Sequence, residues 1–255
     1  MSYIIGYLRA LIASIIFLIA LLLGAVMHFV TFLIGKFNKE AMDNIRFSYI
    51  HGACRIIWLA IQGPTEIIGL ENIPQDRPCL FIGNHRSILD IVVTLAYMKK
   101  PVGYISKMEL KKVPILSLLM EDIHCLFLDR QDPRQGLKTI LAAIEEVKAG
   151  RNMFVFPEGT RSRVEGEFLP FHAGSFKIAT KPGAPIVPVT IVNCGDLLED
   201  HFPRVKWVKV VVEYGKPIET AGMDRNAQKD LPDKVRDQII ETYEKHAAVV
   251  LKKAG

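Results

Sequence analysis

The sequence predicts an α/β domain, a mixed, largely parallel sheet flanked by helices, preceded by an N-terminal two-helix segment. Three observations predict it. Residues Ala10–Gly35 contain no Asp, Glu, Lys or Arg. Beyond Pro64, short apolar runs alternate with stretches of helical periodicity, the signature of strand–helix units. Apolar residues make up 50% of the 255-residue chain and mean hydropathy is +0.22, high for a domain wholly in water. One α/β domain over residues 64–255 behind a helical motif of residues 1–63 fits this length better than two full domains.

The first helix is the uncharged run itself. At ~1.5 Å per residue, Ala10–Gly35 extends about 39 Å, enough for a ~30 Å hydrocarbon core. Its one ionisable side chain is His28. A cleavable signal peptide has an apolar stretch of only about 7–15 residues, shorter than this one. A second helix follows, with Met42, Ile45, Tyr49, Ala53, Ile56, Ile57 and Ala60 on one face and Asn44, Ser48, His51 and Arg55 on another. Such an amphipathic helix either packs on the domain behind it or lies among lipid headgroups. The pair reads as a membrane-binding motif, by full span or by insertion into one leaflet. Arg9 precedes the run and Lys36, Lys39 and Arg46 follow it. That asymmetry places the later side on the cytoplasmic face, of the inner membrane if the source is bacterial.

In the second segment the expected strands are Glu66–Gly69, Cys79–Ile82, Gly103–Ile105, Cys125–Leu128, Met153–Phe156, Ile186–Ile191 and Val208–Glu213. The expected helices are Ile88–Met98, Pro133–Ala149, Ser175–Thr180 and roughly Lys229–Lys252. The second of these is the most fully specified. Asp132 suits its N-cap, Pro133 its first turn and Gly150 its stop, while Leu137, Ile140, Leu141, Ile144 and Val147 form one apolar face.

Net charge is +5, which favours an anionic partner such as a phospholipid surface or a phosphorylated substrate. Lys99, Lys100, Lys107, Lys111 and Lys112 concentrate this charge, opposed locally by Glu109. The chain lacks zinc-ligand spacing and an arginine-rich tract interleaved with aromatics, so nucleic acid is not an expected partner. Cys54, Cys79, Cys125 and Cys194 are scattered without a CxxC pair and read as free thiols in a reducing compartment.

Three stretches carry chemistry. Gly83-Asn84-His85-Arg86-Ser87-Ile88-Leu89-Asp90 follows an apolar strand and opens a helix. Within a single helix, positions five apart point about 140° from each other. His85 and Asp90 meet only if His85 lies in the loop before the helix, with Ser87 as N-cap and Asp90 at the third helical position, as in a capping box. The same arrangement serves as a plain cap, with His85 a loop residue. Phe154-Val155-Phe156-Pro157-Glu158-Gly159-Thr160-Arg161-Ser162 runs from a strand into a turn, the region of an α/β sheet where ligands tend to bind. Backbone N–H groups near Gly159, together with Arg161, suit a phosphate. Lys107 and Arg130 each sit just past an expected strand.

Taken together, these stretches resemble the lysophosphatidic acid (1-acyl-sn-glycerol-3-phosphate) acyltransferase family of glycerolipid acyltransferases, over about Gly83 to Pro188. His85-Arg86-Ser87-Ile88-Leu89-Asp90 matches the H-x4-D motif. Lys107-Met108-Glu109-Leu110 and Phe127-Leu128-Asp129-Arg130 look like the second block. Phe156-Pro157-Glu158-Gly159-Thr160-Arg161-Ser162 looks like the third and Ile186-Val187-Pro188-Val189 like the fourth. One departure follows the third block: the usual Phe-Lys-x-Gly reads Phe171-His172-Ala173-Gly174.

The resemblance implies transfer of a fatty acyl group from acyl-CoA or acyl carrier protein to the sn-2 hydroxyl of lysophosphatidic acid at the bilayer, giving phosphatidic acid for phospholipid biosynthesis. It implies no cofactor beyond the thioester co-substrate. His85 would be the general base and Asp90 would fix its tautomer. Lys107, Arg130, Thr160 and Arg161 would contact the anionic substrate, Gly159 would admit close backbone approach, and Glu158 would shape the turn or bond a substrate hydroxyl, with its charge paired. Histidines without HExxH spacing give no metal site. Glycerol 3-phosphate or another lysolipid is the alternative acceptor. Alternatives of another class are a membrane-surface lipid hydrolase and a non-catalytic lipid-binding protein. The absence of a Gly-x-Ser-x-Gly elbow argues against a serine lipase.

Overall fold

The computed structural model describes residues 3–251. Its elements are α1 (Tyr3–Gly35), α2 (Lys39–Ile61), β1 (Thr65–Ile68), β2 (Leu80–Gly83), α3 (Leu89–Tyr97), β3 (Val102–Lys107), α4 (Leu116–Asp122) and β4 (Leu126–Leu128). They continue with α5 (Pro133–Lys148), β5 (Asn152–Val155), α6 (Lys177–Thr180), β6 (Ile186–Val192), α7 (Cys194–Leu197), β7 (Val210–Tyr214) and α8 (Arg225–Val250). The strands form a seven-stranded sheet in the order β1-β7-β6-β2-β5-β3-β4. Every neighbouring pair is parallel except β6 with β7. The expected mixed, largely parallel α/β architecture is therefore present, and each expected strand coincides with an observed one to within two residues.

The central strands are buried on both faces. Leu80–Gly83 and Asn152–Val155 are wholly interior, which explains their continuous apolar runs. One face carries a core of Phe81, Tyr104, Phe154, Val189, Val212 and Tyr214, covered by α2 and α3. The other carries Leu80, Ile82, Met153, Val155 and Ile186, packed against α5, α6 and α8 through Ala143, Ile178, Val235 and Ile239. α5 begins as its sequence dictates: the Asp132 side chain accepts from the amides of Arg134 and Gln135, Pro133 occupies the first turn, and Gly150 follows the end at φ +88°.

Several helices differ from expectation, among them the short α7, which was not anticipated. α8 starts at Arg225, not near Lys229, because Asp224 caps it through the amides of Asn226 and Ala227 and its polar first turn needs no apolar face. The expected end at Lys252 lies outside the described residues. α4 was not anticipated, since seven residues are too few for a periodic pattern. Ser175–Thr180 divides into a 3-10 turn, Ala173–Phe176, and the single helical turn of α6.

α1 contains 33 residues and starts before the uncharged run, so Arg9 falls inside it, where its guanidinium stacks 4.1 Å from the centroid of the Trp207 ring. It is long and apolar enough to cross a membrane and leaves Leu18, Leu22, Val26 and Phe29 largely exposed. α2 packs on the domain: Phe47, Trp58 and Ile61 are buried in the same core as Val93, Leu95 and Ala96 of α3. The two N-terminal helices and α4 are joined by a polar cluster. His28 Nδ1 lies 2.8 Å from Asp122 Oδ1, Arg46 Nη1 lies 3.1 Å from the same oxygen, and Arg46 Nε donates to Thr31 Oγ1 at 2.9 Å. This contact gives a partner to the ionisable groups that the apolar surroundings would otherwise penalise.

Candidate active site

The loops leaving the adjacent parallel strands β2 and β5 meet at one end of the sheet and build the site. Asn84 anchors the first loop by acting as an extra rung of backbone. Its Nδ2 donates to the Ile191 carbonyl (2.8 Å) and its Oδ1 accepts from the Ile191 amide (2.9 Å), so β2 is effectively extended against β6. The next residue, His85, is fixed on three sides. Its ring stacks on Phe156 with centroids 4.1 Å apart and planes at 16°. Its amide donates to Glu158 Oε1 (2.9 Å), and its Nδ1 lies 2.9 Å from Asp90 Oδ2.

Asp90 is fully buried in the first turn of α3. The oxygen facing His85 also accepts the amides of Arg86 and Ser87, both at 2.8 Å, and Ser87 Oγ accepts from the Leu89 amide at 3.0 Å. One carboxylate thus takes both roles, accepting the backbone amides ahead of α3 and engaging the imidazole, although the N-cap is Ile88, without a side-chain cap bond, and not the expected Ser87. With Nδ1 donating to this carboxylate, Nε2 is the nitrogen free to accept a proton.

The β5 loop supplies the opposite wall. Gly159 turns at φ +72°, and a Cβ there would lie 3.2 Å from the His172 ring. Glu158 is buried. Its Oε1 takes the His85 amide and its Oε2 the Leu169 amide (3.0 Å), so it binds the protein's own backbone and lies outside the main cleft. Burial raises its carboxyl above the ordinary range, against the pull of those two amides. The expected pairing of its charge is met by backbone N–H groups and not by Arg161. The Ser162 amide donates to the His85 carbonyl (2.9 Å), tying the two loops together.

Next to the histidine loop, at Arg86, opens a cleft of about 380 Å³, lined also by Lys107, Thr160, Arg161, Ser162, Arg163, Glu199 and Asp200. Three of the expected anion contacts, Lys107, Thr160 and Arg161, therefore share one cavity. Arg130 lies apart, its Nε 3.9 Å from where a Cβ on Gly159 would stand, on the side of His172. Arg86 is a buried structural cation, donating to the Ser162 carbonyl (3.2 Å) and Asp200 (2.6 Å). Arg161 is half-exposed and its Nη1 donates to Glu199 Oε1 at 3.0 Å. Glu199 and Asp200 were not anticipated; they follow α7 in a stretch with no motif of its own.

On the other side of α3 lies an apolar cavity of about 220 Å³ between α1, α2, α3 and α4. Leu21, Tyr49, Ala53, Ile91, Leu95 and Met120 line it, and it reaches Ile88 at the start of α3, next to the histidine loop. Cys54 and Cys125 border it, and burial raises both thiols to about 12, leaving them protonated.

Known proteins agree with this geometry. The acyltransferase family profile matches residues 64–192. A chloroplastic 1-acyl-sn-glycerol-3-phosphate acyltransferase of Brassica napus is 36% identical over 182 residues, 70% of this chain and 50% of that relative. A 1-acyl-sn-glycerol-3-phosphate acyltransferase of Saccharomyces cerevisiae is 31% identical over 221 residues, 86% of this chain and 71% of the relative. The chain thus spans between half and three-quarters of the length of these two. The crystal structure of the 1-acyl-sn-glycerophosphate (LPA) acyltransferase from Thermotoga maritima superposes with a TM-score of 0.84 at 26% identity, covering 97% of this chain and 98% of that one. With sequence, fold and motif order in agreement, the chain belongs to the 1-acyl-sn-glycerol-3-phosphate acyltransferase family of glycerolipid acyltransferases.

Proposed function

We propose that this protein is a 1-acylglycerol-3-phosphate O-acyltransferase, which moves a fatty acyl group from a thioester to the sn-2 hydroxyl of lysophosphatidic acid and forms phosphatidic acid. The observation that carries this reading is the His85–Asp90 contact at 2.9 Å, on a loop whose Arg86 lines a basic cleft and whose Ile88 lines an apolar cavity. A hydroxyl is a weak nucleophile at neutral pH, and a neutral imidazole is suited to take its proton as it attacks. His85 Nε2 accepts that proton while the hydroxyl oxygen bonds to the thioester carbonyl carbon. The tetrahedral adduct collapses, the carbon–sulfur bond breaks, and the imidazolium returns a proton to the departing thiolate. Asp90 offsets the imidazolium charge throughout.

Lys107, Thr160 and Arg161 hold the acceptor phosphate, with Arg130 contributing from the Gly159 side. Gly159 keeps that turn free of a side chain, and Glu158 positions His85 by gripping its amide. The apolar cavity receives an acyl chain. The N-terminal helices hold the protein on the cytoplasmic face of the membrane, where an amphiphilic acceptor resides. The donor is acyl-CoA or acyl carrier protein.

The decisive experiment uses purified full-length protein in mixed micelles, with thiol release and lipid product measured together. Phosphatidic acid should form in step with free thiol from at least one donor, and a folded His85→Ala protein should lose roughly 10²–10⁴-fold in rate. Free fatty acid in place of lipid product would establish a hydrolase. Lipid binding without thiol release would establish a binding protein.

A further inference from the structure

The cleft next to the histidine loop already holds an anion, and that anion belongs to the chain. Glu199 projects from the single 3-10 turn Glu199–His201 that follows α7. Its Oε1 accepts the Ile88 amide at the head of α3 (2.6 Å) and Arg161 Nη1 (3.0 Å), and its Oε2 accepts the Ser87 hydroxyl. A helix-terminal amide, a hydroxyl and a guanidinium converging on one oxyanion are the donor set that proteins use for phosphate. Lys107 and Arg163 line the same cleft, so the surroundings favour more negative charge than one carboxylate brings. The neighbouring carboxylate, Asp200, is committed elsewhere, to buried Arg86 at 2.6 Å. That contact anchors the segment and leaves Glu199 as the acid that meets the cleft donors. The Glu199 side chain is 18% exposed, so it meets solvent at the cleft.

We propose that Glu199 is a resident competitor for the acceptor phosphate. Its carboxylate occupies the donors until a phosphomonoester, with a larger charge and three terminal oxygens, displaces it. This rests on the reading that Arg161 binds the acceptor phosphate. The consequence is specificity. A phosphodiester headgroup carries a single charge and two free oxygens, so it displaces Glu199 poorly. Lysolipids that bear such heads are rejected, while lysophosphatidic acid is admitted. The resident carboxylate also keeps Arg161, Ser87 and the α3 amide aligned when no acceptor is bound.

The test is Glu199→Gln, which keeps the shape and removes the charge. Acceptor KM for lysophosphatidic acid should fall by about three- to tenfold with donor KM unchanged, since the screened ion pair with Arg161 is lost. The preference for lysophosphatidic acid over lysophosphatidylcholine should narrow. In an Arg161→Ala background the same substitution should leave acceptor KM where Arg161→Ala put it. A second readout does not need turnover: inorganic phosphate should raise the melting temperature of Glu199→Gln more than that of the wild type. A rise in acceptor KM, or no change in KM and in the phosphate effect, would overturn the proposal and leave Glu199 as a brace for Ser87 and Arg161. If Glu199→Gln melts early, Glu199→Asp, which draws the charge back by one methylene, should lower acceptor KM in the same direction, and failure to do so counts equally against it. Failure of the phosphate reading itself looks different: Arg161→Ala would then leave acceptor KM unaltered whatever occupies position 199.

Discussion

Asp90 Oδ2 receives His85 Nδ1 at 2.9 Å and the amides of Arg86 and Ser87 at 2.8 Å, so one buried oxygen both starts a helix and orients an imidazole. These duties separate in Asp90→Asn. An amide oxygen still accepts the two backbone N–H groups but gives no charge to offset an imidazolium. Turnover should fall by roughly 10²–10⁴-fold, while the melting temperature moves by only a few degrees. Initial rates and a thermal melt on one preparation check this. Retained activity would reduce Asp90 to a cap.

Arg161 is the cation of the cleft that is half-exposed and held by a displaceable partner. Arg161→Ala should raise acceptor KM more than donor KM. Loss of a charged hydrogen bond is worth about 1.5–3 kcal/mol, or on the order of 10- to 150-fold in kcat/KM. Solvent screening of a half-exposed guanidinium puts the expected value near the lower end. Arg161→Lys should recover part of it, since an ammonium cannot copy a two-pronged grip. Equal losses for lysophosphatidic acid and for a lysolipid without a phosphomonoester would assign Arg161 to the donor or to structure.

The apolar cavity makes a prediction about chain length. Ala53 of α2 lines it opposite Ile91 and Leu95 of α3. A phenyl ring at that position fills space that the proposed site offers to an acyl chain. Ala53→Phe should shift the preferred acyl chain to a shorter one with little loss of rate on the shortest donors. A uniform loss across all chain lengths would show that the cavity does not measure the chain.

α1 leaves a wide apolar surface uncovered. The protein should therefore remain with membranes through high-salt and carbonate washing. Release by salt alone would show that the lysine-rich stretch near Lys107, and not apolar burial, holds it.

The legibility of this chain follows from how local each signal is. Strands such as Leu80–Gly83 are continuous apolar runs because both of their faces are covered, and the turn residues beyond them mark where they stop. The meeting of His85 with Asp90 was readable because a loop-to-helix junction has few geometries. The Arg161–Glu199 contact was not, since it spans 38 residues and joins a recognisable turn to a stretch without pattern. Glu158 was legible only in part: a paired charge was expected, but its partners are the backbone amides of His85 and Leu169, and the second lies 11 residues away in a stretch without a motif. The burial of α2 depended on which face of an amphipathic helix found a protein surface, a choice that periodicity leaves open.

Trp58, Phe47 and Ile61 lie in the core beneath α3, and this makes the N-terminal helices and the α/β domain mechanically inseparable. A chain cut at Pro64 would bare the apolar seat of these three side chains, each worth about 1.5–3 kcal/mol when fully buried. That deficit is of the same order as the whole stability margin of an ordinary domain. Trimming the greasy end to obtain a water-soluble enzyme should therefore yield aggregate, and a useful soluble form would need a substitute for α2 before α1 is touched. The apolar character of the N-terminal segment thus belongs to the interior of the protein, through α2, as well as to its surface, through α1.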